Sequence, residues 1–254
     1  MIDPIAFSIG PVSVRWYGLF YGIGLGFSFF LARWMIARRK LSITQDQLMD
    51  FLFWIFLAGV IVGGRLGYIL FYNLPYYLAN PLKVFAVWEG GMSFHGGLIG
   101  AILVGILYCR KQKIDPWHMA DLVIVPAPLA LALGRLGNFI NRELAGRLIA
   151  DPRWNFLGMD FGDGALRFPS QLFASFKDIL IFGVLFFLFF RHPKKGVLLG
   201  IFLILYGFLR FTVEFWRAPD PQVGFIFQYF TLGQILSALL LIAGLVLLKK
   251  RSAS

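Results

Sequence analysis

Arg135 and Asn138 stand three residues apart in the run GRLGNFINRELAGR, residues 134–147. If helical order persists there, they share one face. A guanidinium presents a planar fork of N–H donors that suits phosphate oxygens. The plainer alternative is an interfacial arginine reaching up to lipid headgroups. Upstream lies PAPLALALG, an apolar stretch long enough, with its flanks, to cross a bilayer. Three similar oddities recur: Arg65 in VIVGGRLGYIL, His95 in GGMSFHGGLIG, and Arg210 with Glu214 in LYGFLRFTVEFWR. An ionisable side chain inside a bilayer costs about 2.5–3.5 kcal/mol on insertion scales, so each suggests function by default.

Tyr206, Arg210, Glu214 and Arg217 follow an i, i+4, i+8, i+11 rhythm, one polar stripe on an apolar helix. An Arg210–Glu214 ion pair that makes the helix insertable is the bland reading. The surplus cation, Arg217, points instead to an external anion. His95 lies between Gly90–Gly91 and Gly96–Gly97, which permit close approach of a backbone or a ligand. Histidine's unperturbed pKa of about 6.5 suits proton transfer. A hydrogen-bonded structural histidine is the alternative. Arg65 lies about 200° around a helix from Gly63, so it leaves the glycine face and needs another partner. That favours a structural role.

Other chemistries lack their residues. Cys109 is the single cysteine, so there is no internal disulfide and no thiolate metal cage, and packing explains it. His95, His118 and His192 show no short metal-ligand spacing, and no phosphate-binding glycine loop follows a strand. Neither a metal nor a cofactor is expected.

Membrane helices must position the polar residues. The chain has 254 residues, 59% hydrophobic and 15% charged, and a soluble domain would not read so. A net charge of +11 on a soluble chain would suggest nucleic acid. Here the basic residues bracket apolar spans, so topology and anionic lipid explain them and no nucleic acid is expected. The start, MIDPIAFSIGPVSVRWYG, lacks a basic region and a small-residue cleavage site. It reads as an interfacial lead-in.

A span needs roughly 20 apolar residues. Seven are expected, at about 16–36, 50–72, 93–110, 119–137, 172–190, 196–216 and 229–248. Pro126 and Pro128 interrupt the fourth. The polar segment 138–171 cannot span and reads as a folded arm. The expected class is an all-α polytopic membrane protein. It is a seven-transmembrane-helix bundle with an extracytoplasmic arm between helices 4 and 5, a single integral membrane domain over 1–254. Repeats such as Gly18, Gly22, Gly26 and Gly59, Gly63, Gly67 read as small-residue packing faces, continued by Gly97, Ala101 and Gly105.

Loop charges give direction. Arg38–Lys40, Arg110 to Lys113, Arg191 to Lys195 and Lys249–Arg251 follow spans one, three, five and seven. The loop after span two has Lys83 offset by Glu89, and that after span six has Arg217 and Asp220. The positive-inside rule then puts the N-terminus and the arm outside and Ser254 in the cytoplasm. With that direction Tyr17, Arg65, His95, Arg135, Asn138 and the Tyr206–Arg217 stripe all fall toward the outer side. Such a gathering suits something anionic in the outer leaflet.

These blocks together carry a resemblance. RWYGL at 15–19, GGRLGY at 63–68, GGMSFHGGLIG at 90–100, GRLGNFIN at 134–141 with Glu143 and Gly146, and YGFLRFTVEFWRAPD at 206–220 resemble the prolipoprotein diacylglyceryl transferases essentially end to end. Two departures stand out. The family commonly has glycine after the second asparagine, where this chain has Arg142. The family's RHPSQLYE is here Arg167-Phe168-Pro169-Ser170-Gln171-Leu172-Phe173-Ala174, so no role of the family's His, Tyr or Glu carries over, while Pro169, Ser170 and Gln171 still match.

The resemblance implies a membrane transferase of the bacterial inner membrane, with its active site facing the outer leaflet. It would move the diacylglyceryl group of phosphatidylglycerol to the lipobox cysteine of a prolipoprotein signal peptide, without cofactor or metal. The substrate would supply the thiol. Arg135 and Asn138 would hold the lipid phosphate and headgroup. Arg210 would stabilise charge on the leaving group or thiolate, with Glu214 and Arg217 orienting it. His95 is the candidate base, although a cationic field could itself lower the thiol pKa. Tyr17, Glu143, Gly146 and Tyr206 would complete the site. An anion transporter is the alternative from another class, but the charges gather in one half of the membrane and no internal repeat is evident. Another phosphatidylglycerol head-group transferase would share the phosphate clamp and need no peptide thiol.

Overall fold

In a computed structural model, residues 3–10, 12–218, 224–226 and 229–253 are described. Asp220 and Ser254 lie outside them. Strands β1 (Ile5–Ile9) and β2 (Val12–Arg15) pair antiparallel and lead into α1 (Trp16–Arg39). Helix α2 (Gln45–Trp54), a π-helical stretch (Ile55–Val62) and α3 (Gly63–Tyr72) run on as one helix. Helix α4 (Leu74–Ala79) and two 3-10 turns (Pro81–Phe85, Val87–Glu89) lead to α5 (Phe94–Lys111). Helices α6 (Pro116–Ile124) and α7 (Ala127–Ile140) form a single apolar segment. A 3-10 turn (Pro152–Leu157) and the ribbon β3 (Met159–Asp160) and β4 (Leu166–Arg167) precede α8 (Ser170–Phe189) and α9 (Val197–Val213). The ribbon β5 (Phe225–Ile226) and β6 (Phe230–Thr231) precedes α10 (Leu232–Ala253).

Among the described residues, six helical segments are long and apolar enough to cross a membrane: Trp16–Arg39, Gln45–Tyr72, Phe94–Lys111, Pro116–Ile140, Ser170–Phe189 and Leu232–Arg251. Helix α9 is apolar too but has 17 residues. The polarity is inverted relative to a water-soluble protein. Phe30, Leu107, Phe187 and Leu239 are each more than half exposed, whereas Ser175, Lys177, Asp178, Gln234 and Ser237 are buried. Apolar flanks with polar groups inside are what hydrocarbon as solvent demands. The chain is therefore an all-α polytopic membrane protein, and the three short ribbons are a local addition that the sequence reading omits.

Two compact units divide the chain, Met1–Ala32 with Ala120–Ser254, and Arg33–Met119. In the second unit, a Cβ at Gly59 would stand 2.7 Å from the Ala101 Cα, and one at Gly67 2.7 Å from the Gly96 Cα. The glycine face of Gln45–Tyr72 thus lets α5 in, as its spacing predicts. In the first unit the expectation for α1 is corrected. Nothing lies within 4 Å of a Cβ built at Gly18, Gly22 or Gly26, while one at Gly24 would meet the Ala130 Cα at 2.8 Å. The repeat in α1 is not a packing face among the described residues. Its out-of-phase glycine is. At the other end of α9, the buried Asp121 accepts from the Gly196 and Leu199 amides at 2.7 and 2.8 Å, satisfying two donors of the first turn.

Candidate anion site

The GRLGN block builds the first wall of the site. Gly134 and Gly137 face α1, where added Cβ atoms would stand 2.5 Å from the Tyr21 ring and 2.7 Å from the Tyr17 Cα. The glycines therefore seat α7 on Tyr17 and Tyr21, whose rings meet edge-on at 4.9 Å. Arg135 and Asn138, each one residue further on, are turned about 100° away from that contact.

Helix α7 then ends abruptly. The Arg142 amide donates to the Phe139 carbonyl at 3.1 Å and the Glu143 amide to the Asn138 carbonyl at 2.9 Å. This is a Schellman ending, with Arg142 in the left-handed position at φ 60°. Glycine adopts that conformation without penalty, which explains its common use there and makes Arg142 a strained replacement. The turn folds Glu143 back, so its carboxylate accepts from Asn138 Nδ2 at 3.1 Å and Asn141 Nδ2 at 3.3 Å.

Helix α9 supplies the second wall. Arg210 is ion-paired with the buried Glu214, whose other oxygen accepts from Thr231 Oγ1 at 3.1 Å. Glu214 thus ties Arg210 to the start of α10. Arg217 corrects the helical-stripe expectation. Helix α9 stops at Val213, and Arg217 sits instead in a β-bridge opposite Gly146. Sequence shows Pro219 two residues later, and proline close behind a helix end cannot continue it. Gly146 is where the strand crossing is tightest. A Cβ there would meet the Phe168 carbonyl and stand 2.5 Å from that of Trp216. Its place is structural: it delivers Arg217. Arg147 locks the same crossing, donating from Nε to the Arg217 carbonyl at 2.9 Å and from Nη2 to the Glu214 carbonyl at 3.4 Å.

Helix α8 closes the space with residues the sequence reading did not select. Arg135, Arg210 and Arg217 line one cavity of about 20 Å³ together with Gln171 and Lys177. Lys177 is ion-paired with Asp178, both buried, and its Nζ lies 4.0 Å from the centre of the Tyr206 ring. Arg135 and Arg210 both act electrostatically on Lys177, Asp178 and Tyr206. The signal was present: adjacent opposite charges inside the apolar run FASFKDILIFG. Among the described residues Arg135 has no hydrogen-bond partner, unlike Arg210.

The segment after α7 is held by surface ion pairs, Arg153–Asp151 at 2.6 Å and Arg167–Asp163 at 2.7 Å. Hydrogen bonds from the arginines hold both carboxyls below the usual carboxylate range.

Arg65 and His95 belong to the second unit. Arg65 is 3% exposed and fully engaged. Its Nε donates to the Val84 carbonyl at 3.0 Å, Nη1 to those of Gly90 and Gly91, and Nη2 to those of Lys83 and Ala86 at 2.6 and 2.9 Å. It is a clasp for the loop 83–91. Gly90 and Gly91 have φ of 84° and 78°, which shapes that loop around the guanidinium. Gly96 and Gly97 receive the backbone of Gln45–Tyr72. The glycines beside His95 therefore serve the fold. His95 itself is exposed, second in α5, touching Phe94 edge-on at 5.6 Å and without a hydrogen-bond partner among the described residues.

Three arginines, a lysine and an amide around one small cavity in an apolar helix set make a candidate anion site in a membrane protein. The family model for prolipoprotein diacylglyceryl transferase matches residues 4–249. A phosphatidylglycerol–prolipoprotein diacylglyceryl transferase of Geobacter sulfurreducens is 47% identical over 97% of this chain and 94% of its own length. Similarly named proteins of Desulfotalea psychrophila and Aeromonas salmonicida are each 44% identical, over 97% and 96% of this chain and 92% and 88% of theirs. The chain belongs to the prolipoprotein diacylglyceryl transferase family. It is an enzyme, a transferase.

Proposed function

We propose that this enzyme transfers the diacylglyceryl group of phosphatidylglycerol to the lipobox cysteine of bacterial prolipoproteins, the first step of lipoprotein maturation. The cysteine sulfur attacks C3 of the lipid glycerol, and a C–S thioether bond forms as the C–O bond to phosphate breaks. Glycerol phosphate leaves with the bonding electrons, and a base takes the thiol proton. The names of the relatives support this reaction. The observation that carries it is Arg135, a guanidinium in a membrane helix that lines a cavity and has no hydrogen-bond partner among the described residues. Leaving a charge so is costly unless an anion completes it.

In this reading Arg135 binds the phosphate through its donor fork, and Asn138, held by Glu143, contacts the headgroup. Arg210, Arg217 and Lys177 face the same cavity and stabilise charge growing on the leaving phosphate. Glu214 positions Arg210, Tyr206 supports Lys177, Tyr17 supports α7, and Gly146 lets the backbone close behind Arg217. His95 takes the thiol proton. That role rests on its residue type and on its lack of a hydrogen-bond partner among the described residues.

The whole chain works as one integral membrane domain in the inner membrane. Helix α9, sixth in chain order, brings the spans to seven: its 17 residues rise about 26 Å, close to the hydrocarbon thickness. The N-terminus and the arm at 138–171 face outward and the C-terminus faces the cytoplasm, from the placement of basic loops.

The test uses purified protein, phosphatidylglycerol vesicles and a lipobox peptide, read by mass. The expected product is peptide plus diacylglyceryl, absent when the peptide cysteine is serine. No adduct on the cysteine peptide overturns the proposal. Head-group release without peptide modification would instead favour another phosphatidylglycerol transferase.

A further inference from the structure

Gln171 is 2% exposed and lines the same cavity as the cations. Its Nε2 donates to the Glu143 carbonyl at 2.7 Å. That bond fixes which end of the amide is nitrogen. The other end, Oε1, is buried and has no hydrogen-bond partner. Buried acceptors in native proteins are nearly always paired, and an orphan calls for a specific explanation. The cavity holds about 20 Å³, room for a single water-sized group. A small donor in that cavity, a water or a hydroxyl, would satisfy Oε1 beside the cations that line it. An anionic oxygen is excluded, because it donates nothing to a carbonyl. A hydroxyl attached to an anionic group fits both requirements.

We propose that Gln171 is a specificity-determining residue that accepts a hydrogen bond from a hydroxyl of the lipid's polar head while the neighbouring cations hold its phosphate. The inference rests on the reaction proposed above and adds what that reaction leaves open: how a phosphodiester with a hydroxylated head is told from one without. The arginines and Lys177 recognise charge, which every anionic phospholipid carries. Gln171 recognises the glycerol. A site built to bond a hydroxyl discriminates strongly against the analogue that lacks it, since the buried acceptor is then left unpaired.

The experiment compares kcat/KM for phosphatidylglycerol with that for phosphatidylpropanol, the same phosphodiester with no head hydroxyl, using one lipobox peptide. Wild type should prefer phosphatidylglycerol by about 10–100-fold. Gln171→Leu and the straighter Gln171→Met should bring the two lipids within about 3-fold of each other. The ratio is independent of how much of a variant is folded, so the lost Glu143 link does not imitate the result. A wild-type enzyme indifferent to the head hydroxyls, or variants that keep the wild-type ratio, would overturn the proposal. A wild type that modifies the peptide from neither lipid would sink the reaction itself instead.

Discussion

Arg65 and Arg135 both follow a glycine in an apolar helix, and lysine at either place should fail in opposite ways. Arg65 uses its fork on five carbonyls of one loop. Lysine offers three donors from one point, so at least two carbonyls lose a charged donor. Each such bond is worth about 1.5–3 kcal/mol when buried. The Ala86 bond is buried and the other four are partly so, so water recovers some of the loss. Arg65→Lys should therefore destabilise by roughly 2–4 kcal/mol, lowering the thermal midpoint in detergent by about 5–15 °C. Arg135 has no hydrogen-bond partner to lose among the described residues. Arg135→Lys should stay within about 0.5 kcal/mol of wild type in stability. Its turnover should fall about 100-fold or more, because a point charge replaces the bidentate clamp. Thermal unfolding and peptide lipidation, measured on the same preparations, separate the two. An Arg135→Lys enzyme with near wild-type turnover would refute the clamp, leaving general electrostatics. One as unstable as Arg65→Lys would make Arg135 structural.

Three further outcomes are expected. His95→Gln should cut turnover about 10²–10⁴-fold at neutral pH, with partial recovery as pH nears about 8.5, where the substrate thiol ionises unaided; a wild-type rate at neutral pH would remove His95 from the mechanism. Arg142→Gly should raise the thermal midpoint by a few degrees without changing lipidation, since it removes a left-handed penalty of about 1 kcal/mol; a lower midpoint would show that the arginine side chain outweighs its backbone strain. Cysteine at position 160 should react with an impermeant thiol reagent in intact cells and cysteine at 253 should not, against a background from Cys109 kept low by its burial; reversed labelling would overturn the outward-facing site.

Much of this was legible because membrane helices expose their exceptions. Arg135, Arg210 and Arg217 stand out against apolar neighbours, and the structure brings all three to one cavity. Long apolar runs likewise mark the spans, and the ends of α7 and α8 fall within a few residues of expectation. What failed to show in the sequence are features set by pairing at a distance. Arg217 looks helical by spacing, yet the chain leaves α9 before reaching it and a strand crossing at Gly146 decides its position. The α1 repeat looks like a packing face, yet contact depends on which glycine meets Ala130, and only the structure selects Gly24.

Gln171 shows the same limit from the opposite side. In sequence it matches the family's arm motif but is a polar residue at the start of a span, to which spacing assigns no role. Its interest arises only when both ends of one amide are accounted for. The nitrogen is committed to Glu143, whose backbone is placed by the Schellman turn that Asn138 and Arg142 form. The oxygen is buried without a partner, on a residue that lines the cavity with three arginines and a lysine. A single turn at the end of α7 therefore fixes the carboxylate behind Asn138 and the amide across the cavity. That coupling explains why the GRLGNFIN run is dense in glycine and asparagine. The glycines bring α1 close, the asparagines hold Glu143, and the helix must end where it does for Glu143 to reach both Asn138 and Gln171.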